Sequence, residues 1–163
     1  MIIVRKNQLI FNSQYFRCSL GKNGLKYNKK EGDHCTPIGI FSIGRIFYRS
    51  DRVLLPKLAI PTHKIYNNYG WCDDPKSNLY NQLIKFPFNY SAEQLHRNDN
   101  LYDIVCEIKY NDTPVIKHKG SAIFIHIATN DFKPTAGCVA LQKDDLIKVL
   151  SMMDSKTKIS LNN

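Results

Sequence analysis

Cys138 and His126 are the two side chains of this chain best suited to covalent chemistry. They lie in Ile125–Leu141, I-H-I-A-T-N-D-F-K-P-T-A-G-C-V-A-L. A thiol attacks as its thiolate, and a nearby imidazole is the usual base that makes one. Gly137 directly before the Cys permits a tight backbone turn, which can point successive N–H groups at a developing oxyanion. The window thus offers a nucleophile (Cys138), a base (His126) and oxyanion donors (Gly137 and Cys138 N–H). For each there is a plainer reading: a buried inert thiol, a satisfied core His and an ordinary turn Gly.

Other residues are candidates for substrate contact. Thr135 hydrogen-bonds near the Cys or simply shapes its turn. Trp71, Asp73, Asp74, Tyr80 and Asn81 form a polar-aromatic group that suits either substrate contact or loop packing with Asx-turns. His118, in Lys117-His118-Lys119-Gly120, is a surface loop residue or a cleft residue. Asp131 orients His126 or caps its loop. Asp33, Thr36 and Pro37 read as turn chemistry. The five Cys (18, 35, 72, 106 and 138) are odd in number and contain no C-x-x-C pair. They fit neither a disulfide framework nor a standard zinc pattern, so no metal and no cofactor is expected.

Positioning these groups requires a mainly β chain. Ile2–Arg5, Gln8–Phe11 and Tyr15–Leu20 read as an opening meander with turns at Asn7 and Asn12-Ser13. Gly21–Pro37 is a loop, Ile38–Phe47 a strand and Val53–Pro61 an extended piece. Thr62–Phe88 is rich in Asn, Pro and Tyr with little periodicity, which predicts a long lid or substrate loop. Ser91 can cap a short helix over Ala92–Leu95. Tyr102–Tyr110 alternates as a strand and Asn111–Pro114 turns. The apolar run Ser121–Ala128 is a buried strand that delivers His126. Leu146, Val149, Leu150 and Met153 predict a helix over Lys143–Met153, and Lys156–Leu161 a last strand. The expectation is a single domain over residues 1–163 with one or two short helices.

Composition narrows the function. Hydrophobic residues at 43% with 11% aromatics argue for a globular fold. No window approaches the ~18–20 apolar residues of a membrane span. The formal charge is +9, but the Lys and Arg are scattered and form no nucleic-acid-binding motif, so no nucleic acid is expected. A basic surface also attracts acidic peptides. Met1–Asn7 is not a secretory signal, which favours the cytoplasm, with the periplasm the alternative if a leader precedes this sequence.

The segment around Cys138 resembles the signature of the L,D-transpeptidase (YkuD-type) catalytic domain, a His upstream of a Ser/Thr-x-Gly-Cys-apolar run. The matching positions are His126, Thr135, Gly137, Cys138 and Val139. Gly32–Phe41 (G-D-H-C-T-P-I-G-I-F) is similar to the family's G-D-x-x-T-P-x-G-x-F segment. Trp71–Pro75 with Tyr80-Asn81 is similar to a middle segment of one branch. The resemblance implies a YkuD-like β fold of mixed sheets or a sandwich. It also implies cysteine acyl transfer on peptidoglycan stem peptides or muropeptides, at the bond between a third-position diamino acid and D-Ala. The third catalytic element would be the Ile127 carbonyl. Two features depart from the pattern. The His-to-Cys separation is 12 residues, shorter than usual, and the position two after the Cys, often Arg, is Ala140. With no export signal and no such Arg, hydrolysis by an L,D-carboxypeptidase is favoured over cross-linking. The alternative is a catalytically silent wall-peptide-binding module.

Overall fold

The computed structural model describes residues 1–162, so Asn163, the last residue of the expected domain, lies outside the described residues. The chain opens with β1 (Ile2–Arg5), β2 (Gln8–Phe11) and β3 (Gln14–Ser19), an antiparallel meander. Its turns, Lys6-Asn7 and Asn12-Ser13, hold all four residues at φ between 48° and 60°. Such turns match the twist of the flanking strands, and Asn tolerates them. There follow β4 (Leu25–Lys26), β5 (Thr36–Pro37), the long β6 (Gly39–Tyr48), β7 (Thr62–Lys64), β8 (Tyr69–Cys72), β9 (Leu83–Lys85) and β10 (Ala92–Gln94). The chain ends with β11 (Ile104–Ile108), β12 (Phe124–Ile127), β13 (Val139–Leu141), α1 (Lys143–Ser151) and β14 (Lys158–Leu161).

Nine strands form one sheet in the order β11-β12-β13-β3-β2-β1-β14-β6-β7, and β6 also pairs with β11. That pairing closes the sheet on itself and leaves few free edges. Closure depends on the ten residues of β6. Gly39–Ser42 pair with β14, and Ile43–Tyr48 pair with β11. A three-stranded sheet, β10-β8-β9, packs outside.

β11 and β12 are buried along their whole length. Their alternate side chains nevertheless go to different cores. Ile104, Cys106, Ile125 and Ile127 join the main core with Val139 and Leu141. Val105 and Phe124 join a second core with Phe47, Trp71, Tyr102 and Cys138. α1 adds Leu146, Val149 and Leu150 to the main core. Asp144 and Asp145 in its first turn and Lys148 in its last complement its dipole.

Two sequence expectations change. Residues 62–88 are not one irregular loop: they carry β7, β8 and β9, and Trp71 of β8 is 2% exposed. Strands of three or four residues interrupted by Asn- and Pro-rich turns are too short to show a period, so the segment looked irregular. Ser91 starts no helix, because Ala92–Gln94 pairs antiparallel with β8. The chain is mainly β with one short helix, α1. Among the described residues no helix is long and apolar enough to cross a membrane.

Trp71 therefore has a structural role. Its ring meets Phe124 edge-on at 5.1 Å and Phe47 at 6.4 Å, and Nε1–H donates to Asn81 Oδ1 at 2.9 Å. Trp71→Ala is expected to cost ~3–5 kcal/mol and lower Tm by about 10 °C or more, with KM nearly unchanged for molecules that stay folded. A raised KM at unchanged Tm would return Trp71 to the substrate.

Candidate active site

β12 and β13 run parallel, with His126 opposite Ala140 and Ile125 opposite Val139. One face of the pair therefore carries Phe124 and His126 on β12, with Cys138 and Ala140 on the partner segment. The period of two sends Ile125, Ile127, Val139 and Leu141 to the core behind. His126, Cys138 and Ala140 line one cavity of about 450 Å³, together with Asp73, Glu93 and Tyr102.

The loop before Cys138 is fixed from three directions. Thr135 Oγ1 donates to the Cys138 carbonyl at 2.7 Å and accepts from Gly137 N–H at 3.1 Å. Backbone bonds tie Thr135 to Leu20 and Lys22. Gly137 sits at φ +139° and a Cβ there would lie 2.7 Å from the Cys35 carbonyl oxygen. Only glycine fits both the dihedral and the contact. The Gly32–Phe41 segment is thus the backing of the Cys138 turn. Its own fold rests on Asp33, which accepts from Lys30 and Cys35 N–H, and on Thr36 Oγ1, which accepts from Gly21 N–H. Asp33 is the turn residue that the sequence suggested, whereas Thr36 and Pro37 form β5.

His126 is 6% exposed. Its Nδ1 is 2.8 Å from the Ile127 carbonyl oxygen. A carbonyl only accepts, so Nδ1 carries the hydrogen and Nε2 keeps its lone pair. Tyr102 meets the imidazole edge-on at 5.2 Å and donates its O–H to Glu93 at 2.6 Å. Burial pushes His126 down to about 4, partly offset by the Ile127 carbonyl.

Cys138 Sγ lies 3.2 Å from the Ala122 carbonyl, to which it donates, and accepts from Phe124 N–H at 3.4 Å. Burial first, then the Glu93 carboxylate, push the thiol up to about 12, while Phe124 N–H and the Lys29 ammonium act the other way. At neutral pH these values leave the pair as thiol and neutral imidazole. Cys18 and Cys106, which burial also pushes up, lie in the main core.

The remaining candidates divide. Asp73 lines the cavity, and its Oδ1 is buried with no hydrogen-bond donor. Thr135 lines it as well, with its hydroxyl engaged in the turn. Gly137 acts through shape, because its N–H is given to Thr135. Tyr80 is 1% exposed and stands behind the wall, donating to Glu31 and accepting from Gly120 N–H at 2.9 Å. Asn81 also lies behind it. Oδ1 accepts from Trp71 and Ala122, and Nδ2 donates to the Tyr110 and Asn111 carbonyls. Asn81 thereby fixes Ala122, whose carbonyl accepts the thiol's hydrogen bond. Asp74 caps Lys76 N–H away from the cavity. His118 is exposed and meets the site only through its carbonyl, which accepts from Glu31 N–H. Asp131 is 61% exposed beside Lys133 and makes no bond to His126.

Sequence reasoning missed Lys29, Glu31, Glu93, Arg97 and Tyr102, all of which line the cavity. They come from two stretches far from Cys138 in the chain, Lys29–Glu31 and Glu93–Tyr102, and no motif links these to it. The one available signal for Glu31 was its position next to the Gly32-Asp33 motif.

Comparison with curated proteins and with solved structures gives no match. Comparison with protein families does: the YkuD family, described as the L,D-transpeptidase catalytic domain, matches residues 1–161. A match over nearly the whole chain, on a mainly β fold that places His126 and Cys138 in one cavity, means that this chain belongs to the YkuD family of L,D-transpeptidase catalytic domains.

Proposed function

We propose that this protein is a cysteine acyl transferase that cleaves peptidoglycan stem tetrapeptides between residue three and D-Ala, with water as the acceptor. The supporting observation is the His126 Nδ1–H bond to the Ile127 carbonyl. It turns Nε2 into a base on the strand face that also carries Cys138. As Sγ attacks the carbonyl carbon of residue three, Nε2 takes the thiol proton and the carbonyl oxygen becomes the oxyanion. Cys138 N–H is its donor, since Gly137 N–H is engaged. The oxyanion re-forms its carbonyl as the C–N bond breaks, and the imidazolium gives its proton to the departing amine, releasing D-Ala. The thioester left on Cys138 is then attacked by water. His126 takes one water proton and returns it to sulfur, which frees the tripeptide acid.

The test is incubation with disaccharide-tetrapeptide, with and without an amine acceptor, followed by mass spectrometry. Tripeptide plus free D-Ala is expected. Predominant cross-linked dimer would replace water by amine and keep the nucleophile. No turnover, together with no electrophile labelling of Cys138, would instead favour a silent binding module.

The pH profile is a second test. His126 accepts a proton only while neutral, and burial holds it neutral down to about pH 4. The acid limb of kcat/KM is expected near pH 4, not at the free imidazole value of about 6.5, and it should persist in Glu93→Gln. A limb near 6.5 in both proteins would contradict a buried neutral base. The same depression carries a stability signature. The unfolded chain takes up the His proton below about pH 6.5 and the folded chain only near 4. Its contribution is therefore complete above 6.5 and is lost as pH falls toward 4, by on the order of 3 kcal/mol.

A further inference from the structure

Lys29 is 3% exposed, yet it lines the cavity that holds Cys138 and His126. A lysine is rarely buried so deeply without a reason, because its ammonium loses its hydration. The chain makes room for it. Gly120 sits at φ +104°, and a Cβ there would come 2.8 Å from Lys29 Cε. The methylenes cross bare backbone at Gly120 and bring the charge to the cavity wall.

Its partners do not use it fully. Nζ donates to Asp33 Oδ1 at 2.7 Å and to the Lys30 carbonyl at 3.4 Å. An ammonium has three donors, so one is left over. Asp33 is also well supplied without Lys29. It accepts from Lys30 and Cys35 N–H, and Lys26 stands 3.6 Å from Oδ2. Two ammonium groups on one carboxylate leave a surplus positive charge.

The other cations of the cavity are committed elsewhere. Arg97 makes two bonds to Asp99, at 2.8 and 2.6 Å, and lies over the Tyr102 ring. Lys133 is 72% exposed and stands beside Asp131. The cavity also holds Glu31, Asp73 and Glu93, none of which is in an ion pair among the described residues. An anionic group entering this cavity is repelled at these three carboxylates and attracted at Lys29.

We propose that the Lys29 ammonium anchors the C-terminal carboxylate of the peptide attacked by Cys138, so that the protein selects chains ending in a free acid. This rests on the acyl-transfer reading above. The D-Ala carboxylate lies one residue beyond the bond that breaks, and its capture aligns that bond with the thiol. Lys29 is then a specificity-determining residue, and its pairing with Asp33 orients it.

The test compares a stem tetrapeptide ending in free D-Ala with the same peptide ending in D-Ala amide. Binding is measured by calorimetry to the inert Cys138→Ala protein, and turnover on the parent. The free acid is expected to be preferred by about 10-fold or more in Kd and in kcat/KM. Lys29→Met should bring the ratio to near one by weakening the acid alone, while Lys29→Arg should keep part of it. A merely structural role would weaken both peptides equally. Equal handling of acid and amide by the parent, or an unchanged ratio in Lys29→Met, overturns the anchor. If Lys29→Met does not fold, Arg97→Gln and Lys133→Gln decide: both should keep the preference, and its loss in either moves the anchor there. Acid-selective binding without any turnover would keep the anchor and reject acyl transfer. Turnover of both peptides alike would do the reverse.

Discussion

Cys138→Ala is expected to abolish release of D-Ala, by roughly 10⁴-fold or more, and to melt within several degrees of the parent. The loss is large because no other group in the cavity can form the thioester, and triad-type sites lose nearly all their rate when the nucleophile goes. Cys35 does not replace it. Its Sγ donates to the Asn23 and Asp33 carbonyls, and its backbone lies behind Gly137. Cys72 is fully buried and absent from the cavity lining. The stability cost is small because only Sγ is removed. Phe124 N–H loses a weak acceptor at 3.4 Å, and the second core loses one atom, worth ~1–2 kcal/mol. Turnover measured by free D-Ala, beside a thermal melt, checks both halves. Near-normal activity in Cys138→Ala, with loss in Cys72→Ala, would move the nucleophile.

His126→Ala is expected to lower kcat/KM by 10²- to 10⁴-fold at neutral pH, the usual range for a general base and acid. The structure makes this dependence severe. With the thiol pushed up to about 12, only about 10⁻⁵ of it ionises unaided at pH 7. Solvent hydroxide should partly rescue the variant, with the rate rising about tenfold per pH unit over the range in which the protein stays folded. Rescue stays incomplete because the leaving amine lacks its acid. The imidazole also supports the Tyr102 ring at 5.2 Å, so Tm should fall by a few degrees as well. Full activity of His126→Ala at neutral pH would reject the Cys–His mechanism.

Much of this site was readable along the chain because its central parts are contiguous. Thr135, Gly137 and Cys138 form one turn whose bonds are local, and His126 precedes them on a strand short enough to pair directly with β13. The Ile127 carbonyl also follows from local order, since it belongs to the next residue on that strand. Long-range contacts were not readable. Trp71, Asp73, Tyr80 and Asn81 lie in one polar-aromatic stretch, yet burial separates them: Asp73 faces the cavity, while the other three clasp Phe124, Ala122 and Glu31 behind it. A stretch of sequence cannot distinguish a hydrogen bond given to substrate from one given to the Ala122 backbone.

The sequence by itself determined the turn that carries Cys138, the family, the opening meander, a helix starting at Lys143 and the mainly β class. Each depends on residue identity and near-neighbour spacing, through turn dihedrals, the period of two and the period of 3.6. Only the tertiary structure decided that β6 closes the sheet through β11, that residues 62–88 carry three strands, and that Lys29, Glu31, Glu93 and Arg97 line the cavity that holds Cys138. It also decided the protonation states of the pair. Burial and the carboxylate of Glu93, 45 residues away in sequence, hold the thiol protonated, and burial keeps His126 neutral. Desolvation and through-space charge depend on what the folded chain brings together, and the linear order of residues does not carry that information.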